Sequence, residues 1–307
     1  METAELNPKT IRPNGVSTNG RAVKAAAVKN PRDVSPAAKV WIYIVLTLFS
    51  LFAIFPILQV FTISLRPGDK LLSTNLELIP DGATLDAYVT LFTARPFLKW
   101  MFNSVLVSLI VTFFSVGLAS TAGYAFSRYK FYGRDSGMIL LIATQMFPVT
   151  MLLLPLFIML IKLGVYDSYI GLIIAYTATA LPFCIWQMKG FYDTIPRSLE
   201  ESARIDGCSE VQTFWKIVFP LAQPALVITA LFSFMTAWSE YLVAAVLVQD
   251  QSLFTLPMGL KGFQSDLEVS WGLYSAGAML VSLPVVILFI ALSRYLVSGL
   301  TLGSVKE

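Results

Sequence analysis

The sequence contains no histidine among its 307 residues, which removes imidazole general bases, Ser-His-Asp and Cys-His nucleophile systems, and most zinc sites. Only two cysteines occur, Cys184 and Cys208, and neither has a Cys-x-x-Cys partner. No disulfide framework or metal knuckle can be read from them; buried small side chains are the plain expectation. Charge is scarce as well. Lys, Arg, Asp and Glu make up 13% of the chain, against about 25% in a soluble domain. That deficit is hard to reconcile with a surface facing water and easy to reconcile with one facing lipid. The net charge of +3 is small and dispersed, and no basic stripe interleaves with aromatics, so nucleic acid is not an expected partner. A Gly-x-x-x-x-Gly-Lys-Ser/Thr phosphate loop is also missing, so the chain is not expected to hydrolyse ATP.

What is present is hydrophobic, 56% of the residues, and it comes in long runs. A hydrocarbon core about 30 Å thick takes about 20 residues of apolar helix. Six stretches between consecutive charged residues are long enough: Val40–Leu65 (26 residues), Trp100–Ser127 (28), Ser136–Ile161 (26), Ser168–Met188 (21), Ile217–Ser239 (23) and Val269–Ser293 (25). No other charge-free stretch exceeds 11 residues. The pattern predicts an all-α membrane protein with six transmembrane helices. Of the 22 Lys and Arg residues, 16 fall in segments 1–39, 128–135, 189–216 and 294–307, and 6 in the alternate segments. Basic loops stay in the cytoplasm, so both termini are expected there.

Residues 1–39 are polar and basic, without hydrophobic period, and read as a disordered cytoplasmic tail rather than a secretory signal. Residues 66–99 form the longest outside loop, with turn signals at Pro67-Gly68 and Pro80-Asp81-Gly82. Pro56, Pro148, Pro155, Pro182, Pro224 and Pro284 lie inside the spans. Each frees a backbone carbonyl, which membrane helices tolerate where a neighbour or a water-lined cavity satisfies it.

The most informative stretch joins spans four and five, from Ile195-Pro196-Arg197-Ser198-Leu199-Glu200-Glu201-Ser202-Ala203-Arg204-Ile205-Asp206-Gly207-Cys208 to Phe219-Pro220. It reads as two short helices with a break. Ser198 and Glu201 have capping-box spacing, as do Ser209 and Gln212, and Gly207 stands where a left-handed cap would end the first helix. An ordinary surface helix pair would look much the same.

The stretch also resembles the "EAA" loop of the membrane subunits of bacterial ATP-binding-cassette importers: Glu-Ala-Ala, three residues, Gly, then about nine residues to Ile-x-Leu-Pro. Here it reads Glu201-Ser202-Ala203, Gly207 and Ile217-Val218-Phe219-Pro220, with Ser202 and Phe219 as mild departures. The resemblance runs from about residue 40 onward and is strongest to the smaller permease subunit of maltose/maltodextrin systems. It is carried further by Ile63-Ser64-Leu65-Arg66, Asn103-Ser104, Ala122-Gly123-Tyr124-Ala125-Phe126-Ser127-Arg128, Gln145-Met146-Phe147-Pro148 and Gly299-Leu300-Thr301-Leu302-Gly303-Ser304-Val305-Lys306. Glu307 stands where the family favours a closing Gly.

The resemblance implies a type I importer permease with a six-helix domain over 40–298, a coupling loop over 189–218 and a cytoplasmic tail over 299–307. Glu200, Glu201, Ser202, Ala203, Asp206 and Gly207 would be the ATPase-coupling residues. The implied partners are a second, larger permease subunit, two ATPase subunits, an extracytoplasmic sugar-binding protein and the lipid bilayer. No cofactor is bound by this chain; ATP and Mg are used by the ATPase. The implied location is a bacterial or archaeal inner membrane. The implied role is half of the path for maltose-like oligosaccharides, with trehalose, other sugars or glycerol-phosphate as alternatives within the family.

Polar groups inside the spans are few. Glu240 lies at membrane depth if span five runs to about Leu247, and faces outside water if the span ends early; both readings stay open. Gln145, Gln187 and Asn103 could bond sugar hydroxyls, although packing between helices is the commoner use. Gln145, Trp238 and Glu240 are the candidate substrate-path residues. An ion-driven secondary transporter would want a buried acidic or histidine relay, and a membrane enzyme would want a catalytic constellation; neither pattern is present.

Overall fold

A computed structural model describes residues 35–69, 79–264 and 269–302. Of the expected tail over residues 1–39, residues 1–34 lie outside them and residues 36–39 are instead the first turn of a helix; residues 303–307 at the other terminus also lie outside. Contacts divide the chain into two units, Met1–Ala53 and Ile54–Glu307. The described part of the first is the opening of helix α1 (Pro36–Ser64), where Trp41, Leu48 and Phe52 are exposed apolar side chains.

The second unit is helical throughout its described residues, apart from turns and one isolated bridge. Helix α2 (Asp86–Thr93) precedes α3 (Phe97–Arg128), α4 (Arg134–Thr144), α5 (Val149–Lys162) and α6 (Tyr169–Tyr192). The connecting loop carries α7 (Arg197–Ile205), α8 (Glu210–Thr213), a π turn at Phe214–Val218, and α9 (Phe219–Leu221). Then come α10 (Gln223–Ser239), α11 (Leu242–Leu247), α12 (Leu256–Lys261) and α13 (Trp271–Leu302).

Among the described residues the apolar segments take two different forms, which make six spans where each bent pair counts as one. Four helices, α1, α3, α6 and α13, are each long and apolar enough to span alone. The third and fifth charge-free stretches are broken: α4 and α5 meet at 104°, and the Glu210–Leu221 segment meets α10 at 76°. Proline explains both breaks. Pro148 precedes α5 and disfavours helical geometry at Phe147, while Pro224 starts α10 just after Ala222 leaves the helical region. The other four internal prolines, Pro56, Pro155, Pro182 and Pro284, sit inside unbroken helices.

The bent α4–α5 pair still joins opposite ends. Arg134 Nε donates to Phe126 O near the end of α3, whereas Leu160 and Val165 pack with Leu172 at the start of α6. Helices α3 and α6 run parallel as the central pair, with α10 against both. In lipid there is no hydrophobic drive between helices, so close packing of small residues has to hold them. The buried face of α3 supplies Ser104, Ser108, Ser115, Ala119 and Gly123. A Cβ on Gly123 would come within 2.8 Å of Met188 Cβ and 3.0 Å of the Lys189 nitrogen, so only glycine permits this approach.

The loops sort into two ends. Asn103 bonds Ser252 and Phe254 carbonyls, Asp167 accepts from the Gln249 and Asp250 amides, and Arg95 covers the Phe263 ring at 5.6 Å. At the opposite end, Arg128, Tyr129, Asp193, Glu200 and Glu210 converge. This grouping matches the alternation of basic and non-basic loops. The segment from Gly299 to Leu302 continues α13 as helix.

Candidate functional site

Helix α7 begins directly after Pro196, whose extended backbone (φ −59°, ψ 131°) turns the chain into it. Ser198 is therefore the second helical residue and cannot act as the N-cap; the expected Ser198–Glu201 capping box does not form. The C-terminal end behaves as its sequence suggests. Gly207 has φ +86°, the Cys208 amide donates to Ala203 O at 2.9 Å, and the Gly207 amide to Arg204 O at 3.0 Å. These two bonds make a Schellman motif. Ser209 then caps α8 in a complete box: its Oγ accepts from the Gln212 amide at 3.3 Å, and its own amide donates to Gln212 Oε1 at 2.9 Å.

The two acidic neighbours in α7 part company. Glu201 is exposed, along with Leu199, Ser202, Asp206, Gly207 and Ile205, the last 86% exposed. Glu200 and Ala203 are buried against the subunit's own helices. Glu200 Oε1 accepts from Arg128 Nε at 2.5 Å, and Oε2 from the Tyr124 hydroxyl at 2.9 Å. The Arg128 fork also donates to Ile195 O and Ser127 Oγ, both at 3.0 Å. Ser127 in turn donates to Asp193 Oδ1 at 2.6 Å, and Lys189 holds Oδ2 at 2.6 Å.

The rings of Tyr124, Tyr192 and Phe214 close over this cluster, with Tyr124 4.8 Å from Phe214 and 5.8 Å from Tyr192. Around the rim, burial and then the Glu210 carboxylate push the Tyr129 hydroxyl above the ordinary tyrosine range. Partial burial would raise Asp193, but Lys189 and Ser127 outweigh it and hold its carboxyl below the usual aspartate value. The roles of Arg128 and Tyr124 were not legible beforehand. The one available signal was a basic residue ending span two opposite an acid-bearing loop.

Helix α10 stops at Ser239 and Glu240 is extended (φ −73°, ψ 122°), yet the chain turns at once into α11. Val243, Ala244 and Leu247 of α11 are buried with Leu172 and Tyr176 of α6. The Tyr176 hydroxyl donates to Glu240 O at 3.4 Å, about 10 Å in from the start of α6 by helical rise. Glu240 thus stands at the break between α10 and α11, half-buried, and its carboxylate accepts the Val243 amide at 2.9 Å.

Trp238 is buried, stacked on Phe234, and donates its indole N–H to Val281 O of α13. It borders a groove of about 560 Å³ between α10, α12 and α13. Gln145 sits at the α4–α5 bend and donates to Thr179 O at 3.1 Å, facing a cavity of about 420 Å³ with Thr144 and Thr179 as its other polar walls. Asn103 is fully buried: its amide donates to the Ser252 and Phe254 carbonyls and its oxygen accepts from Tyr169, which makes it a packing residue. Gln187 is half-buried on α6.

A family profile described as "Binding-protein-dependent transport system inner membrane component" matches residues 115–301, which include the whole α7–α9 loop. The chain belongs to that family. Members similar to this permease include the maltodextrin transport system permease protein MdxG of Bacillus subtilis, 35% identical over 87% of this chain and 96% of that protein. The inner membrane ABC transporter permease protein YcjP of Escherichia coli is 34% identical over 90% and 99%. Among solved structures, a chain of a bacterial ABC transporter involved in import of the acidic polysaccharide alginate covers 86% of this chain and 99% of its own, with TM-score 0.73 at 24% identity; that likeness is one of fold. The permease is a transport subunit and not an enzyme, as the names of its relatives have it.

Proposed function

We propose that this permease forms half of the translocation path of an oligosaccharide importer and couples it, through the exposed face of α7, to separate ATPase subunits. The observation that carries this reading is the α7–α8 geometry: a short helix closed by a Schellman motif at a positive-φ glycine and followed at once by the capped α8, presenting Leu199, Glu201, Ser202 and Ile205 outward. A helix that protrudes with apolar side chains exposed beyond the membrane segments needs a groove to bury them. The chain has no nucleotide-binding loop of its own, so energy enters as differential contact with the two ATPase states.

On this reading the α7 end is cytoplasmic, both termini lie on that side of the inner membrane, and the segments before α1 and after α13 are tails. Gln145 and Glu240, each at a helix break within the membrane, line the path and offer amide and carboxylate groups to sugar hydroxyls; Trp238 shapes the wall beside them. The partners are a larger permease subunit, two ATPase subunits and an external binding protein.

Maltodextrin is the first candidate substrate, because two of the relatives are named maltodextrin permeases. Relatives named for galactooligosaccharides, arabinooligosaccharides and sulfoquinovosyl glycerol support a wider reading, in which an oligosaccharide of another type is carried. The test is co-purification of the tagged chain with an ATPase subunit, joined to ATP-driven uptake of labelled maltotriose by the reconstituted complex, with the other sugars as competitors. Retention of the ATPase with uptake displaced by one competitor decides the substrate. Absence of the ATPase from the purified complex overturns the coupling reading.

A further inference from the structure

Helix α7 turns one face outward and bonds the other to its own subunit through charge. Glu200 and Arg128 have side chains only 3% and 6% exposed. The Arg128 guanidinium lies on α3, its carboxylate partner on α7, and a further acceptor, Ile195 O, at the entry to α7. Through Ser127 it continues to Asp193 and Lys189 at the end of α6. Three elements therefore meet at one buried guanidinium.

Apolar packing alone would allow a short helix to roll or slide, because dispersion contacts have no preferred direction. A planar fork bonded at several points is directional, and inside an aromatic enclosure a small displacement breaks charge-assisted bonds without water to replace them. A buried ion pair is weak evidence for stability, since apolar residues of similar size often do as well. Geometric definition is the better reason to keep one here. We propose that the Arg128–Glu200 pair is a positioning joint: it makes α7 move as one body with the ends of α3 and α6, so that a displacement imposed on the exposed face reaches the spans undiminished. The inference rests on the coupling reading of α7.

The test uses spin labels on Ser198→Cys, exposed on α7 and not among the residues read as docking, and Gly190→Cys on α6, where an added Cβ meets nothing within 4 Å, after Cys184 and Cys208 are changed to serine. Distances are read in the full complex in nanodiscs, with and without ATP and vanadate. With the pair intact, one narrow distribution is expected, unchanged by nucleotide. Glu200→Gln and Arg128→Lys should broaden it about twofold, the lysine because it keeps the charge and loses the fork. Arg128→Met with Glu200→Met should restore subunit level and remain broad; a narrow distribution there would mean that packing suffices and the pair is no joint. Tyr124→Phe, which removes one O–H and no charge, is the variant of choice if the charge variants do not fold, with intermediate broadening expected. A nucleotide-driven shift with the pair intact, or a narrow distribution in Glu200→Gln, overturns the proposal. If the chain with the pair intact retains no ATPase subunit, the coupling reading itself fails, and the widths measured on the chain alone still decide whether the joint is rigid.

Discussion

The Glu240 carboxylate accepts the Val243 amide of its own chain at 2.9 Å, across the break between α10 and α11. A half-buried carboxylate needs a donor, and here the donor is local. A break between helices leaves amides without intrahelical partners, and Glu240 supplies an acceptor where α11 begins. It is a capping residue before it is anything else, and one carboxylate oxygen is left for other partners.

Glu240→Gln keeps an acceptor of the same reach, so α11 stays capped and transport should be partly retained. Glu240→Leu removes the cap, about 1 kcal/mol by analogy with N-cap losses, and should abolish uptake or change which sugar is preferred. Uptake in a strain lacking the native chain, corrected for subunit level by immunoblot, distinguishes them. Transport by Glu240→Leu at the native rate and level would remove the residue from the path.

Gly207→Asp puts a side chain into φ +86°, at a cost of about 1–2 kcal/mol. The space around it is open, so no steric clash within the subunit adds to this. The subunit should insert normally and lose ATPase co-purification. Gly207→Ala carries the same backbone strain without charge and should lose less. If both variants retain full co-purification and transport, α7 is not the docking element.

The two ends of the fold should differ in accessibility. In a background lacking Cys184 and Cys208, an impermeant thiol reagent added outside should modify cysteine introduced at Asp81 or Gln264. It should leave cysteine at Lys130 or Gly207 untouched until the membrane is opened. Labelling of 130 or 207 in sealed cells would reverse the orientation.

Asp193 has its carboxyl held below the usual aspartate range, with burial outweighed by Lys189 and Ser127. A depressed folded value means stability that is present above the unfolded value, near 3.9, and is lost as pH falls through the folded one. Asp193→Asn should therefore be less thermostable than the unaltered chain at pH 6. The gap should close as pH falls below about 4, because protonation then neutralises Asp193 in the unaltered chain and leaves it as uncharged as the asparagine. A gap that stays constant down to pH 3 would assign the effect to shape rather than charge.

Much of this molecule was readable in its chain. Charge-free runs of 21 to 28 residues located the four long apolar helices and the two bent pairs, since lipid excludes charge whatever the fold around it. The spacing around Gly207 located the end of α7, because a left-handed cap is a local property of a few backbone angles. The Ser209–Gln212 box was local in the same way and formed, whereas the Ser198–Glu201 box lost to Pro196, which started the helix two residues early.

The tertiary structure decided what depends on residues far apart in sequence. Glu200 and Glu201 are adjacent in the chain but about 100° apart around the helix, and only the position of α3 determines that Glu200 turns inward. Arg128 finds it across 72 positions. Prolines looked alike along the chain, yet Pro148 and Pro224 mark breaks of 104° and 76° while Pro182 and Pro284 sit in continuous helices. Pro148 and Pro224 stand where a new helix begins and no intrahelical bond is lost, whereas Pro182 and Pro284 each cost a bond inside a helix that stays continuous; which of the two a proline does depends on the neighbours packed around it, and those are set by the fold.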